Sequence, residues 1–142
     1  MTLDSWQIFA LGSAFFAGLT AVLGKIGVTG INSNLATFIR TVVILIFVAG
    51  LLTFRREWQR PETITKHTLL FLTLSGIATG LSWLCYYRAL QLGPASKVAP
   101  VDKLSVVFAI MLAVVFLGEK MTIPTVVGGV LIISGSLVMM LF

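Results

Sequence analysis

Five apolar stretches dominate this chain of 142 residues, and each constrains the fold strongly. Three of them contain no Asp, Glu, Lys or Arg, and two reach a similar length when Arg40 and the pair Asp102 and Lys103 are accepted within them. A helix needs about 20 residues to cross the hydrocarbon core of a bilayer. Backbone in lipid must form its hydrogen bonds internally, and the alternating pattern of a barrel strand is absent from the stretches, so each is expected to be a helix.

The sequence therefore predicts an all-α membrane protein, a bundle of five transmembrane helices. Hydrophobic residues make up 58% of the chain and charged residues 11%, whereas a soluble domain carries about 25% charged residues. The first apolar stretch lacks a basic start and is too long for a signal peptide, so we expect a retained helix. The predicted helices cover residues 6–26, 35–54, 67–90, 98–117 and 123–142, within a single transmembrane domain, 1–142.

The distribution of Lys and Arg bears on the orientation of the chain. Short connections make neighbouring helices antiparallel, so five helices put the two termini on opposite sides of the membrane. Loop charges alone place the N-terminus in the cytoplasm. Counting basic residues inside the helices as well gives five on each side: Arg55, Arg56, Arg60, Lys66 and Lys120 against Lys25, Arg40, Arg88, Lys97 and Lys103. Single and dual topology both remain open.

Small residues recur at helical spacing, as in faces where membrane helices pack closely. Gly76 and Gly80 form a GxxxG pair in the third predicted helix, and the same face continues to Trp83 and Tyr87. Two interpretations stay open for this face. It could pack against another helix, which is the commoner use of the motif, or it could face a substrate.

Ionisable side chains within the predicted helices mark a candidate functional site, because each costs roughly 2.5–3.5 kcal/mol to insert. Asp102 is too short to reach the head groups, so it needs a wet cavity or a basic partner, for which Arg40 and Lys25 are the candidates. Its role could be a structural ion pair, or substrate or proton coupling. The long basic side chains could instead extend to the head groups. The predicted substrate-binding or pathway residues are Lys25, Arg40, Trp83, Tyr87, Asp102 and Lys103.

The balance of charge at this end of the bundle, five basic residues against one acid, would attract an anionic substrate group. The net charge of +5 is explained by lipid head groups, and no nucleic-acid partner is expected. Cys85 and His67 each stand alone in sequence, which disfavours a disulfide or a zinc site. The sequence contains no hydrolase triad pattern, HExxH or phosphate-binding loop. We therefore expect no enzyme activity, no catalytic residue, no metal and no cofactor.

Residues 88–122, RALQLGPASKVAPVDKLSVVFAIMLAVVFLGEKMT, resemble the third and fourth helices of EamA-domain proteins, in the drug/metabolite transporter superfamily. The matching features are the ALxxG-x-AS turn, the apolar fourth helix and the LGE that closes it. The remaining segments fit the same five-helix unit. Typical members hold two such units in inverted orientation, so the resemblance implies half of a ten-helix inverted-repeat transporter fold, in the short, single-unit branch. In the same resemblance Glu119 belongs to a turn, with a capping role.

The resemblance implies a secondary transporter subunit that moves small organic metabolites or drugs across the inner membrane by alternating access. Inverted repeats bind substrate at their interface, so a single unit would act as a homodimer, and we favour an antiparallel one. A parallel dimer or a different partner remains open. The competing class is a non-transport membrane partner or regulatory subunit of another complex. A flippase for lipid-linked substrates is a third possibility, and a membrane enzyme has the least support. Substrate, direction and coupling ion do not follow from the sequence.

Overall fold

The computed structural model describes residues 4–142, and these residues form helices joined by short connections, with no strand among them. A 3₁₀ turn, Pro61–Thr63, precedes the third long helix, and a π-helical turn, Ala113–Leu117, follows the fifth helix. The helices are α1 (Ser5–Gly27), α2 (Ser33–Arg55), α3 (Lys66–Leu92), α4 (Ala95–Asp102), α5 (Ser105–Leu112) and α6 (Ile123–Leu141).

Five spans of the described chain are long and apolar enough to cross a membrane. Four are the single helices α1, α2, α3 and α6, and the fifth, Ala95–Leu117, combines α4, α5 and the π-helical turn. The prediction of an all-α membrane protein with five transmembrane helices is therefore confirmed. The many large apolar side chains on the helix surfaces, such as Phe9, Phe54 and Phe116, are those expected to face lipid.

Side chains next to the helices satisfy backbone groups that the helix ends leave unpaired. At the start of α2, the Asn32 side-chain oxygen accepts a hydrogen bond from the Asn34 N–H at 2.8 Å. At the start of α6, the Thr122 hydroxyl accepts one from the Thr125 N–H at 3.4 Å. Gly118 ends the fourth span with a positive φ of 68°, a conformation that glycine adopts without strain. These short polar residues set where the spans begin and end.

The fourth span, Ala95–Leu117, corresponds to the helix predicted over residues 98–117, and it departs from regular α-helix at Lys103 and Leu104. Pro100 lies inside α4, three residues before this break, and has no N–H to donate to the preceding turn. The residues after it change to three-residue spacing: the Lys103 N–H donates to the Pro100 carbonyl, and the Leu104 N–H to the Val101 carbonyl, both at 3.0 Å. Regular α-helix resumes at Ser105.

A hydroxyl from α6 supports this break. The buried Ser136 side chain donates a hydrogen bond to the Pro100 carbonyl at 2.8 Å, and α6 packs against both α4 and α5. The Pro100 carbonyl thus accepts two hydrogen bonds, one from the backbone N–H of Lys103 in the same span and one from the Ser136 hydroxyl of α6. In a span with little water, a hydrogen bond from another helix gives this carbonyl at the break a second donor.

The chain divides into two compact units. The first comprises the chain up to Ile26 together with Leu92–Phe142, and the second is Gly27–Gln91. In the second unit the most deeply buried side chains are Val28, Leu90 and Tyr87.

We predict that Ser136→Ala destabilises the protein by about 0.6 kcal/mol, and by ~1.7 kcal/mol at most, because the mutation removes a hydrogen bond between membrane helices. The matched control is Ser134→Ala, since the Ser134 hydroxyl bonds only within α6, to the Val130 carbonyl at 2.9 Å. Thermal unfolding of both variants in one detergent measures the difference. Equal melting temperatures for the two variants would contradict a supporting role for Ser136.

Candidate functional site

The six predicted site residues fall into both units of the chain. Arg40, Trp83 and Tyr87 belong to the unit Gly27–Gln91, and the other three, Lys25, Asp102 and Lys103, belong to the first unit.

Arg40 of α2 lies over two aromatic rings of α3. Its guanidinium carbon is 4.1 Å from the centre of the Trp83 ring and 5.5 Å from that of Tyr87. Both distances are within the ~6 Å at which a cation is attracted to the face of a ring. Trp83 and Tyr87 are four residues apart on one helix, so their side chains project from the same face. The structure thus brings together three of the six predicted residues.

The surroundings of this cluster bury the Tyr87 ring and satisfy the hydroxyls of α2 next to Arg40. Tyr87 is 4% exposed and makes an edge-to-face contact with Tyr86, with ring centres 6.2 Å apart. On α2 the Thr37 hydroxyl donates to the Ser33 carbonyl and the Thr41 hydroxyl to the Thr37 carbonyl, at 2.9 and 2.8 Å. Bonds of this kind satisfy threonine hydroxyls inside a membrane helix.

A second polar contact ties the end of α3 to the connection before α2. Arg88 donates to the Gln91 side-chain oxygen at 2.7 Å, and the Gln91 amide donates to the Ile31 carbonyl at 2.8 Å. From the sequence, Arg88 could have extended to the head groups. Gln91 was not among the predicted site residues. Its position three residues after Arg88, at the end of a helix, was the one sequence feature that indicated this contact.

An open groove of about 500 Å³ runs between α2 and α3. A methyl group in place of a hydrogen on Gly76 or Gly80 would meet no heavy atom within 4 Å. The GxxxG face is therefore not closed by tight helix packing, and it forms part of the groove. The groove is lined by Thr41, Ile44, Leu45 and Val48 of α2 and by Leu72, Ser75, Gly76, Thr79, Gly80 and Trp83 of α3.

Arg40 lies at one end of this groove. Its chain neighbour Thr41 and its ring partner Trp83 both line the groove, and the far end is formed by Val48 and Leu72. The hydroxyls that line the groove were not among the predicted site residues. On α3, the three- and four-residue spacing from Leu72 through Gly76 and Gly80 to Trp83 marks one helix face, and this spacing could have indicated the α3 hydroxyls beside it.

In the first unit, Asp102 lies 3.6 Å from the ammonium of its neighbour Lys103, at the break after α4. Both side chains are more than a third exposed, at 36% and 53%, so this ion pair contributes little stability. The Lys25 ammonium donates to the Gly93 carbonyl at 2.8 Å. The sequence proposed Lys25 and Arg40 as partners of Asp102. An approach of Arg40 to Asp102 would join the two units, and it stays a prediction.

Two further features complete the site chemistry. Among residues 4–142, His, Cys, Asp and Glu side chains form no group of three that could hold a metal ion. A smaller cavity of about 160 Å³ lies between α5 and α6, and its lining, from Val107 and Met111 to Val130, is almost entirely apolar. It therefore offers no charged group to a polar solute, and the Thr125 hydroxyl is the one polar side-chain group among the residues that line it.

The sequence is similar to those of known proteins along nearly the whole chain. Residues 4–141 match the EamA-like transporter family. A protein described as an uncharacterized transporter in the cobO 3' region of a Sinorhizobium species is 52% identical over 139 residues, which are 98% of this chain and 99% of that one. An uncharacterized protein of Methanocaldococcus jannaschii is 26% identical over 133 residues, 94% of each chain. No solved structure gives a significant match.

Both relatives are matched over nearly their full length, so they are about as long as this chain, which has five candidate membrane spans. The family match, the five apolar spans and the near-complete coverage of the relatives lead to one conclusion: this integral, multi-pass membrane protein belongs to the EamA-like transporter family, in its short, single-unit branch.

Proposed function

We propose that the chain is a subunit of a secondary transporter that moves small organic metabolites or drugs across the inner membrane. Membership of a transporter family supports transport as the class of function. The observation that carries the proposal is the Arg40 cluster beside the α2–α3 groove. An arginine within an apolar span is costly to insert and is typical of a substrate path, and here two aromatic rings of the neighbouring helix α3 hold it.

Transport by this chain would use an ion gradient, because the sequence contains no phosphate-binding loop for a nucleotide. Alternating access in inverted-repeat transporters arises from rocking of one repeat against the other around a central site. The interrupted fourth span supports such motion, because a helix bends most readily where its hydrogen-bond ladder is broken. In this mechanism Lys25, Asp102 and Lys103 line the path in the first unit.

Alternating access between inverted repeats needs two five-helix domains. A chain with one such domain can supply the second by pairing with another copy of itself. We propose an antiparallel homodimer, because a chain with five membrane crossings reproduces an inverted repeat only when two copies insert in opposite orientations. The equal division of basic residues between the two sides permits both insertions. A parallel dimer would leave the two copies unable to form an inverted pair.

We predict that Asp102→Asn lowers gradient-driven uptake about tenfold or more, equivalent to 1.4 kcal/mol of transition-state stabilisation. Neutralising the carboxylate removes the charge that would exchange partners during transport. The measurement is uptake of labelled organic acids, amines and neutral metabolites into proteoliposomes with an imposed pH gradient. Glu119→Gln, the same chemical change in the turn after the fourth span, is the control and should retain activity.

Two results would contradict this prediction. Uptake and stability that are unchanged in Asp102→Asn would remove the residue from both coupling and structure. Proteoliposomes that accumulate none of the three solute classes above the level of empty liposomes would contradict transport itself. Stable co-purification with another membrane protein would then favour the alternative role as a partner subunit.

We predict that the connection between α2 and α3 is accessible from both sides of the membrane. The test uses Gln59→Cys in a Cys85→Ser background, because this change keeps the balance of basic residues and leaves one thiol. An impermeant maleimide should label about half of the protein in intact cells and the rest after permeabilisation. Ser96→Cys, in the first turn of α4 next to the connection on the opposite side, should give the complementary fractions. Labelling from one side only, in a protein that still transports, would refute the antiparallel dimer.

A further inference from the structure

We propose that the α2–α3 groove binds an amphipathic organic anion, with its acidic head on Arg40 and its apolar body along the groove. This inference rests on the proposed function, because it names the substrate class for the same site. It depends on three features: the free edges of the Arg40 guanidinium, the apolar walls of the groove and the depth of Arg40 in its helix.

The Arg40 guanidinium is positioned to receive an acidic group. Stacking on Trp83 uses the face of the guanidinium plane and leaves the N–H groups at its edges available. Those edges match a carboxylate or phosphate in two-point geometry. Within Gly27–Gln91 the acidic residues are Glu57 and Glu62, beyond the far end of α2 and about 22 Å along that helix from Arg40. The unit therefore holds the cation in place with rings but supplies no carboxylate for it.

The groove next to Arg40 suits an apolar body of limited length. Its volume of about 500 Å³ is within the range of roughly 300–1,000 Å³ for small-molecule sites. At a helix rise of about 1.5 Å per residue, its lining covers about 10 Å along α2, from Thr41 to Val48. The corresponding length on α3, from Leu72 to Trp83, is about 16 Å.

The group beside the groove that favours an anion is the Arg40 guanidinium, because the threonine hydroxyls that line the groove cannot donate a hydrogen bond to a ligand. The hydroxyl hydrogens of Thr41 and Thr79 are engaged with backbone carbonyls of their own helices at 2.8 and 2.9 Å. These residues can therefore offer only lone pairs to a ligand. The donors near the groove are the Arg40 guanidinium, the Trp83 indole N–H and the Ser75 hydroxyl, and of these three only Arg40 carries a charge. A cationic head would be repelled by Arg40, and a neutral one would leave its charge without a partner.

The position of Arg40 favours a free amphiphile over a membrane lipid. Arg40 is seven residues into α2, about 10 Å from the helix start at Ser33. A lipid phosphate at the head-group level would have to move inward by that distance to meet the guanidinium. A small organic acid carries its head group into the groove without that constraint.

The binding test uses the full-length protein in lipid nanodiscs and Trp83 as its own reporter. The chain has three tryptophans, so a Trp6→Phe and Trp58→Phe background leaves Trp83 as the single fluorophore. The probes are phenylbutyrate, phenylbutyramide and phenylbutylamine, which share one apolar body and differ in the charge of the head. We expect a saturable change in Trp83 emission, with the acid bound at least about tenfold more tightly than the amide or the amine, a difference of 1.4 kcal/mol.

Two variants separate the head-group contact from the groove. Arg40→Gln should abolish the preference for the acid while the amide still binds, a result that a misfolded protein would not give. Gly76→Leu should weaken binding of all three probes, because the leucine side chain would occupy the groove. The control is Arg55→Gln, which removes an exposed arginine at the other end of the same helix and should leave all three affinities unchanged.

Several outcomes would overturn the proposal: equal affinity for the acid and the amide, a preference for the acid that survives in Arg40→Gln, or displacement of phenylbutyrate by phosphatidylglycerol in the nanodisc, which would identify a lipid site. Uptake of a neutral or cationic solute by proteoliposomes that do not bind phenylbutyrate would refute the anion site and leave transport standing. Binding as expected, in proteoliposomes that transport nothing, would support the anion site and refute transport.

Discussion

Hydrocarbon offers no hydrogen-bond partner to a peptide group, and the rest of this structure depends on that constraint. It explains why the described chain is helical, and why the places that depart from regular helix carry compensating bonds. Asn32 and Thr122 satisfy helix starts, and Ser136 bonds to the Pro100 carbonyl next to the break in the fourth span. The same constraint makes the hydroxyls of Thr37 and Thr41 bond to their own helix. Polar residues therefore occur in these spans without leaving backbone groups unsatisfied.

The fold was largely predictable, because the apolar stretches are long and the residues between them have distinct turn chemistry. Apolar length determines the number of spans in a membrane protein more directly than periodicity does in a soluble one. The break in the fourth span was not predicted. Pro100 was visible in the sequence, but prolines within membrane helices are often tolerated when a neighbouring helix supplies a hydrogen bond. Only the structure shows that the Ser136 hydroxyl bonds to the Pro100 carbonyl and that regular α-helix is interrupted between Asp102 and Ser105.

The candidate site was predictable only in part. Helical spacing placed Trp83 and Tyr87 on one face, and the structure adds Arg40 above both rings. The choice between packing and an open surface for Gly76 and Gly80 could not be made from sequence, since the same GxxxG spacing serves either purpose. The structure shows an open groove there. Contacts between side chains far apart in sequence depend on the lateral offset of two helices, which apolar patterning leaves undetermined.

The bond between Ser136 and Pro100 also bears on how the protein is made. The fourth span leaves the ribosome ahead of the segment that carries Ser136, which follows Pro100 by 36 residues. Until α6 reaches the membrane, the Pro100 carbonyl has only the backbone N–H of Lys103, in the same span, as a donor. The final geometry of the broken span is therefore fixed when α6 inserts and its hydroxyl reaches that carbonyl. Biogenesis of the unit would then end with a docking step, in which the last helix completes a helix already in the bilayer.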